Sequence, residues 1–165
     1  MRDCFFIECQ VRKQPPHTDH VDCGVNPASS ITADHPRAPG AESQGRAIIN
    51  FMRNMVLMPP SNLERFHALF VDDKCAYLGD LPLGEGSNSS LSLRMRDLFS
   101  CALGLSARGV VVAHNHPSGL CRPSQNDIAA TNRLKSIALA LDIELLDHLI
   151  FTQSAVYSMR AGGNL

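Results

Sequence analysis

The stretch GVVVAHNHPSGLCRPSQND, residues 109–127, carries the signals on which the fold prediction rests. It begins with an apolar, β-branched run that predicts a buried strand. In a strand, side chains two positions apart lie on the same face, so His114 and His116 can converge on one ion. Residues at helical spacing follow and place Asp127 in the first turn of a helix: Ile128, Thr131, Leu134, Ile137, Ala138 and Leu141.

His114, His116 and Asp127 match the ligand set of a catalytic zinc, which takes three protein ligands and leaves the fourth position for water. The same residues also allow two purely structural interpretations. Ser124 and Asp127 fit a capping box that begins a helix. A His-x-His pair by itself is more often a surface or core feature than a metal ligand. Capping and metal binding are compatible, because Asp127 can do both.

The composition is that of a globular protein with one domain. The chain has 165 residues, 44% of them hydrophobic and 19% charged, and a net charge of −1. We expect no membrane span and a cytoplasmic location, because Arg2, Asp3 and Glu8 interrupt the apolar N-terminal stretch. In that compartment the six cysteines are expected to be free thiols. The charge does not support DNA association, which stays possible only through a local basic patch.

Three segments are expected along the chain. Residues 1–40 are rich in proline, glycine and small polar residues, which is typical of a disordered or linker-like tail. Residues 41–59 predict an amphipathic helix, because Ile48, Met52 and Val56 form an apolar stripe before Pro59-Pro60. From residue 60 onward, strands and helices mix without strict alternation. This pattern predicts an α+β domain of three layers (α-β-α), with a mixed β-sheet flanked by helices.

Within that domain, the alternation and turn signals give approximate bounds for each element. Ser92 is expected to cap a middle helix over 93–103. The strands are expected at 66–71, 75–83, 109–113, 143–151 and 155–159, with the last two forming a hairpin.

The spacing of His-x-His, seven residues, Ser, two residues and Asp resembles the JAMM motif of the JAB/MPN metallopeptidase superfamily. Asn115 between the histidines and Pro123 before Ser124 are similar to its bacterial RadC branch. The resemblance extends from about residue 60 to 162. It implies that residues 60–165 form a RadC-like JAB/MPN domain with a cytidine-deaminase-like architecture.

The resemblance also implies a role for each site residue. One Zn²⁺ per chain would bind His114, His116 and Asp127. Glu64, just before the first core strand, would take a proton from the zinc-activated water. Ser124 would donate a hydrogen bond to the developing oxyanion. Without the resemblance, Glu64 would be interpreted as an ordinary exposed carboxylate.

The remaining candidates are expected to have structural roles or none. Asp147 and His148 would support the fold or orient a metal ligand, and His67 would be a satisfied core side chain. Glu85 and Cys121 have no argument beyond their position. A second zinc site in the tail is a remote alternative, because no Cys-x-x-Cys pair occurs there: Cys4, Cys9, His17, His20 and Cys23.

The complete set of candidate site residues favours a zinc-dependent metallohydrolase that cleaves a peptide or isopeptide bond in a protein or peptide substrate: Glu64, His114, His116, Ser124 and Asp127. The alternative is a DNA-repair-associated RadC-like interaction module with a non-proteolytic metal site. RadC-type proteins commonly carry a helix-hairpin-helix-like region before the domain, whereas here a proline-rich tail and one helix precede it. A zinc deaminase is excluded because its His-x-Glu and Pro-Cys-x-x-Cys motifs are absent. The His-Glu-x-x-His helix of other zinc proteases is absent as well.

Overall fold

The computed structural model describes residues 41–60, 62–86 and 94–165. The tail over 1–40, with its cluster of cysteines and histidines, and the expected cap at Ser92 lie outside the described residues. None of the helices in this described part has the length and hydropathy needed to cross a membrane. The elements are α1 (Ala41–Val56), β1 (Arg65–Val71), β2 (Tyr77–Glu85), α2 (Met95–Gly104), β3 (Gly109–Asn115), α3 (Gln125–Ala140), β4 (Glu144–Phe151) and β5 (Val156–Ser158).

The strands form one five-stranded mixed sheet in the order β2-β1-β3-β4-β5. β1 is antiparallel to both β2 and β3, while β3 and β4 are parallel. β4 and β5 form the predicted final hairpin. The predicted α+β class with a mixed sheet is therefore confirmed.

Different helices cover the two faces of the sheet. β1 and β3 are buried along their whole length, and alternate side chains point into opposite layers. On one face, α2 and α3 pack against a cluster that includes Phe70 and Val112. On the other face, Met52 and Val56 of α1 pack against a cluster that includes Val111. This is the expected three-layer arrangement.

The second strand begins two residues later than the sequence suggests. Asp72 Oδ1 accepts hydrogen bonds from the backbone amides of Lys74 and Ala76, each at 2.8 Å. Cys75, between them, has a positive φ of 62°, a conformation that interrupts extended backbone. The turn therefore continues through Ala76, and β2 starts at Tyr77.

The β3–α3–β4 unit brings the candidate site residues together. Because β3 and β4 are parallel, the chain must cross back along the sheet between them, and α3 makes this crossing. The start of α3 therefore lies at the end of β3. The predicted capping box is present: the Asp127 amide donates to Ser124 Oγ at 3.2 Å, and the Ser124 amide donates to Asp127 Oδ2 at 2.7 Å.

Candidate metal centre

Both predicted histidines lie where β3 ends. His114 is fully buried, and its ring stacks on that of Phe66 in the neighbouring strand with 4.8 Å between centroids. His116 directly follows β3, and its Nδ1 lies 2.8 Å from the Leu120 carbonyl oxygen. Because a carbonyl only accepts, Nδ1 carries the ring proton, and the Nε2 lone pair is free when the ring is neutral. The Nε2 atoms of His114 and His116 lie 2.9 Å apart, so the imidazoles converge as predicted.

Asp127 joins the two imidazoles from the first turn of α3. Its Oδ1 lies 3.3 Å from His114 Nε2, and its Oδ2 lies 3.4 Å from His116 Nε2. The side chain is buried. The structure thus brings the three predicted ligands together.

Glu64 reaches the same point from the residue before β1. Its Oε1 lies 3.7 Å from His116 Nε2. One ligand atom from each of Glu64, His114 and His116 lies within 4.8 Å of the others, which makes these three a group able to hold a metal ion. Two acids therefore approach one pair of imidazoles, and the distances alone allow either Glu64 or Asp127 as the third ligand.

The surroundings lower the pKa of one acid, Asp127, and raise the pKa of the other, Glu64. Burial by itself raises the pKa of Asp127, but hydrogen bonds with His114, His116 and Ser124 outweigh it and hold that pKa well below its usual range. Burial raises the pKa of Glu64, and this effect exceeds the attraction of the nearby histidines. A hydrogen bond with Asp127 raises the pKa of His116. Asp127 therefore stays ionised, while Glu64 accepts a proton more readily than an ordinary glutamate.

A chain of buried hydrogen bonds runs behind His114. His114 Nδ1 lies 2.8 Å from His148 Nε2, and His148 Nδ1 lies 2.7 Å from Thr131 Oγ1. The Thr131 hydroxyl donates to the backbone carbonyl of Asp127 at 2.6 Å. Burial lowers the pKa of His148 well below its usual range, so this ring is neutral and carries one proton.

These contacts define one consistent placement of the protons. The single hydroxyl proton of Thr131 is directed to the Asp127 carbonyl, so the Thr131 oxygen accepts from His148 Nδ1. His148 Nε2 then accepts from His114 Nδ1. When the His114 ring is neutral, its Nε2 therefore has a free lone pair that faces His116 and Asp127, which is the form that a metal ligand needs. The hydrogen bond from this nitrogen to Asp127 forms when the ring is protonated.

Ser124 makes the contacts of a helix cap. Its hydroxyl donates to Asp127 Oδ2 at 2.6 Å and accepts from the Asp127 amide. The capping interpretation of Ser124 is confirmed. Its role at an oxyanion stays a prediction, since the hydroxyl proton is directed to Asp127 here.

Asp147 lies beside His148 in sequence but serves the final hairpin. Its carboxylate accepts from the Ser158 hydroxyl at 2.5 Å, from the Arg160 amide at 3.1 Å and from the His148 amide at 2.7 Å. Burial raises its pKa despite these bonds. These contacts tie β4 to the segment around β5.

The other candidates make contacts away from the imidazole pair. His67 Nε2 lies 2.7 Å from Asp80 Oδ2, which satisfies this buried side chain as expected. Glu85 Oε1 accepts from Arg65 Nε at 2.9 Å. The Cys121 thiol donates to a carbonyl of β4 at 3.4 Å.

Sequence reasoning assigned no polar role to Thr131, Asn115 or Arg65. Thr131 lies one helical turn after Asp127, and Asn115 lies between the two histidines. Arg65 follows Glu64, and its buried guanidinium donates to the carbonyls of Met58 and Pro60. Position beside a site residue is the signal that these three residues share.

A pocket of about 140 Å³ opens beside His116. Its walls come from the end of α1, the segment after β3 and the loop after β4. No lysine, arginine, aspartate or glutamate of the described residues lines it. Besides His116 and Asn115, the lining residues are Leu57, Pro117, Gly119, Thr152, Gln153 and Ser154.

A three-layer α+β fold with two histidines and two acids gathered where a central strand ends defines a protein of the JAB/MPN class. The sequence pattern of the RadC-like JAB domain matches residues 43–164, and the chain belongs to this family. The matched range includes nearly all of α1.

Curated relatives carry the name UPF0758 protein. One from Paraburkholderia xenovorans is 31% identical over 160 residues, which cover 89% of this chain and 62% of the relative. One from Cupriavidus pinatubonensis is 30% identical over 138 residues, which cover 84% of this chain and 60% of the relative. One from Staphylococcus carnosus is 37% identical over 100 residues, covering 61% and 44%. The alignments thus cover between 44% and 62% of the length of these relatives.

Proposed function

We propose that this chain is a zinc-dependent metallohydrolase of the JAMM type that cleaves a peptide or isopeptide bond in a protein or peptide substrate. The observation that carries the proposal is the convergence of two imidazoles with two acids whose pKa values are shifted in opposite directions. A site that only binds a metal needs its ligands and no further carboxylate. Pairs of acids tuned apart are typical of hydrolytic sites.

Zinc is the metal that we assign, with one ion per chain on His114, His116 and Asp127. Ligands about 2.0–2.1 Å from a tetrahedral zinc lie about 3.3–3.4 Å from each other. Asp127 Oδ1 lies 3.3 Å from His114 Nε2 and Asp127 Oδ2 lies 3.4 Å from His116 Nε2, which match this spacing. The two Nε2 atoms lie 2.9 Å apart and would separate by about 0.4–0.5 Å around a bound zinc. When bound, zinc lowers the pKa of a water molecule to about 7 and polarises the scissile carbonyl.

Glu64 is assigned as the general base. Its Oε1 lies beside the proposed ligand set, at 3.7 Å from His116 Nε2. The raised pKa brings its carboxylate closer to the range where a base works best near neutral pH. Oε1 takes a proton from the attacking water and returns it to the leaving amine. Ser124 is assigned to the developing oxyanion, for which its hydroxyl turns away from Asp127.

A peptide and isopeptide library incubated with the zinc-loaded chain tests this function. We expect cleavage that a chelator abolishes and that added zinc restores. Glu64→Gln is expected to keep the fold and the zinc and to lose about 10²–10⁴-fold in rate, because the amide cannot accept the proton.

Glu144→Gln is the matched control, since this exposed acid lies at the opposite end of the sheet, opposite Gly109. It should leave the rate unchanged. Wild-type turnover by Glu64→Gln would contradict the assignment of the base. Zinc binding without cleavage of any library member would contradict the proposed hydrolase and favour the non-proteolytic interaction module.

A further inference from the structure

Asn115 connects the strand that bears the two histidines to the segment that bears Glu64. The residue is 2% exposed. Asn115 Oδ1 accepts from the backbone amide of Arg65 at 2.6 Å, and Asn115 Nδ2 donates to the backbone carbonyl of Leu63 at 2.9 Å. These two bonds lie on either side of Glu64 in sequence.

The chemistry of these contacts requires an amide. The Arg65 amide can only donate and the Leu63 carbonyl can only accept, so the orientation of the Asn115 side chain is fixed. An aspartate would lack the donor, and a leucine would lack both groups. The bond to Arg65 is buried and the bond to Leu63 is partly buried, so losing them costs backbone groups their hydrogen-bond partners.

Asn115 also acts where the backbone pairing of β1 with β3 stops. The ladder between these strands reaches Phe66 opposite His114. One residue further, the Asn115 side chain continues the connection by bonding Arg65 and Leu63. From the other side, the Gly86 amide donates to the Glu64 carbonyl at 2.9 Å.

We propose that Asn115 is a positioning residue that holds the Glu64 carboxylate at the metal centre. Its consequence for catalysis rests on the proposed function of Glu64 as the base. The geometric claim itself can be tested on the metal-free protein.

Crystal structures of the metal-free full chain provide the first test. In Asn115→Leu we expect Glu64 Oε1 to leave its position 3.7 Å from His116 Nε2. Thr152→Val is the matched control, because within the described part of the chain its buried hydroxyl bonds the backbone of Ala155 in its own loop. It should leave Glu64 in place. An unmoved Glu64 in Asn115→Leu would overturn the proposal.

If Asn115→Leu does not fold, Asn115→Asp replaces it. This variant keeps the size of the side chain and the acceptor for Arg65, but it turns a carboxylate oxygen toward the Leu63 carbonyl. We expect Leu63 and Glu64 to be displaced together. Unchanged positions of both residues would overturn the proposal equally.

The cobalt(II)-loaded protein provides a second test, which distinguishes a positioning role of Asn115 from a general role in packing. Its visible spectrum changes at the pH where coordinated water loses a proton, and a nearby carboxylate shifts that pH. We expect Glu64→Gln and Asn115→Leu to shift the transition in the same direction. The double variant should match Glu64→Gln alone, because Asn115 acts through Glu64.

Additive shifts in the double variant would overturn the positioning role. Failure of the proposed function is distinct from this result. A wild-type chain that cleaves no peptide contradicts the hydrolase, while the position of Glu64 in Asn115→Leu still decides the inference.

Discussion

Replacing Thr131 by valine removes one hydroxyl from the chain that sets the proton of His114. Thr131 is fully buried, and its Oγ1 lies 2.7 Å from His148 Nδ1 and 2.6 Å from the Asp127 carbonyl oxygen. Valine has nearly the same shape, so packing should change little. His148 Nδ1 loses its acceptor and moves its proton to Nε2, which turns the neighbouring His114 into the form protonated on Nε2. Before His114 can bind zinc through Nε2, the proton on that nitrogen must move back to Nδ1.

The size of the effect follows from the burial of the lost contact. A buried polar group without a partner costs about 1–3 kcal/mol. In the metal-free variant, His148 avoids this penalty by moving its proton from Nδ1 to Nε2. Zinc binding to His114 returns that proton to His148 Nδ1, which then has no acceptor, so the penalty reduces the zinc affinity. The corresponding loss in zinc affinity is about 10–100-fold, the range typical when the partner of a ligating histidine is removed.

Competition with a chelator of known zinc affinity measures this loss. Ser136→Ala is the matched control, because its hydroxyl also bonds the carbonyl four residues earlier in α3, at 2.9 Å from Asn132 O, but lies on the exposed side of the helix. We expect Ser136→Ala to bind zinc like the wild type. Equal zinc affinity of Thr131→Val and Ser136→Ala would refute the reasoning about the His148 chain.

Three further predictions concern the metal and the helix cap. Metal analysis of His116→Ala and Asp127→Ala should show a sharp fall from about one zinc per chain. Cys121→Ser should keep its full zinc content. Full zinc content in both ligand variants would exclude the site as assigned. Ser124→Ala should keep zinc but lose about 1 kcal/mol in the free energy of unfolding measured with denaturant, because the N-cap is lost, and an unchanged stability would argue against the cap. Because the pKa of His116 is raised above its ordinary 6.5, protons compete with zinc already above that pH. Zinc affinity should therefore fall as the pH decreases from about 8 to 6, and constant affinity across that range would contradict it.

Local sequence signals were enough for the strand–loop–helix unit. The β-branched run predicts β3, the two-residue period predicts that His114 and His116 converge, and the Ser124–Asp127 spacing predicts the cap. Each of these signals involves residues that are close together in sequence, so the structure agrees with all three predictions. The late start of β2 was missed, because the bond from the Ala76 amide to Asp72 and the positive φ of Cys75 extend the turn beyond the length that residue preferences indicate.

Contacts between distant segments were not predictable from the residues alone. His148 meets His114 only because β3 and β4 are parallel in a specific register, and these residues are 34 positions apart. Glu64 lies near His116 because β1 pairs with β3, so only the family resemblance identified it. The bonds of Asn115 to Leu63 and Arg65 join segments 52 and 50 positions apart and carry no local pattern.

The division of roles between the two acids is the central claim, and anomalous diffraction at the zinc edge from zinc-loaded crystals tests it most directly. We predict one peak per chain at about 2.0–2.1 Å from His114 Nε2, His116 Nε2 and one Asp127 oxygen, with Glu64 close by but outside the coordination sphere. A peak coordinated by Glu64 in place of Asp127 would contradict the assignment of ligand and base. So would crystals that show no zinc between the two imidazoles.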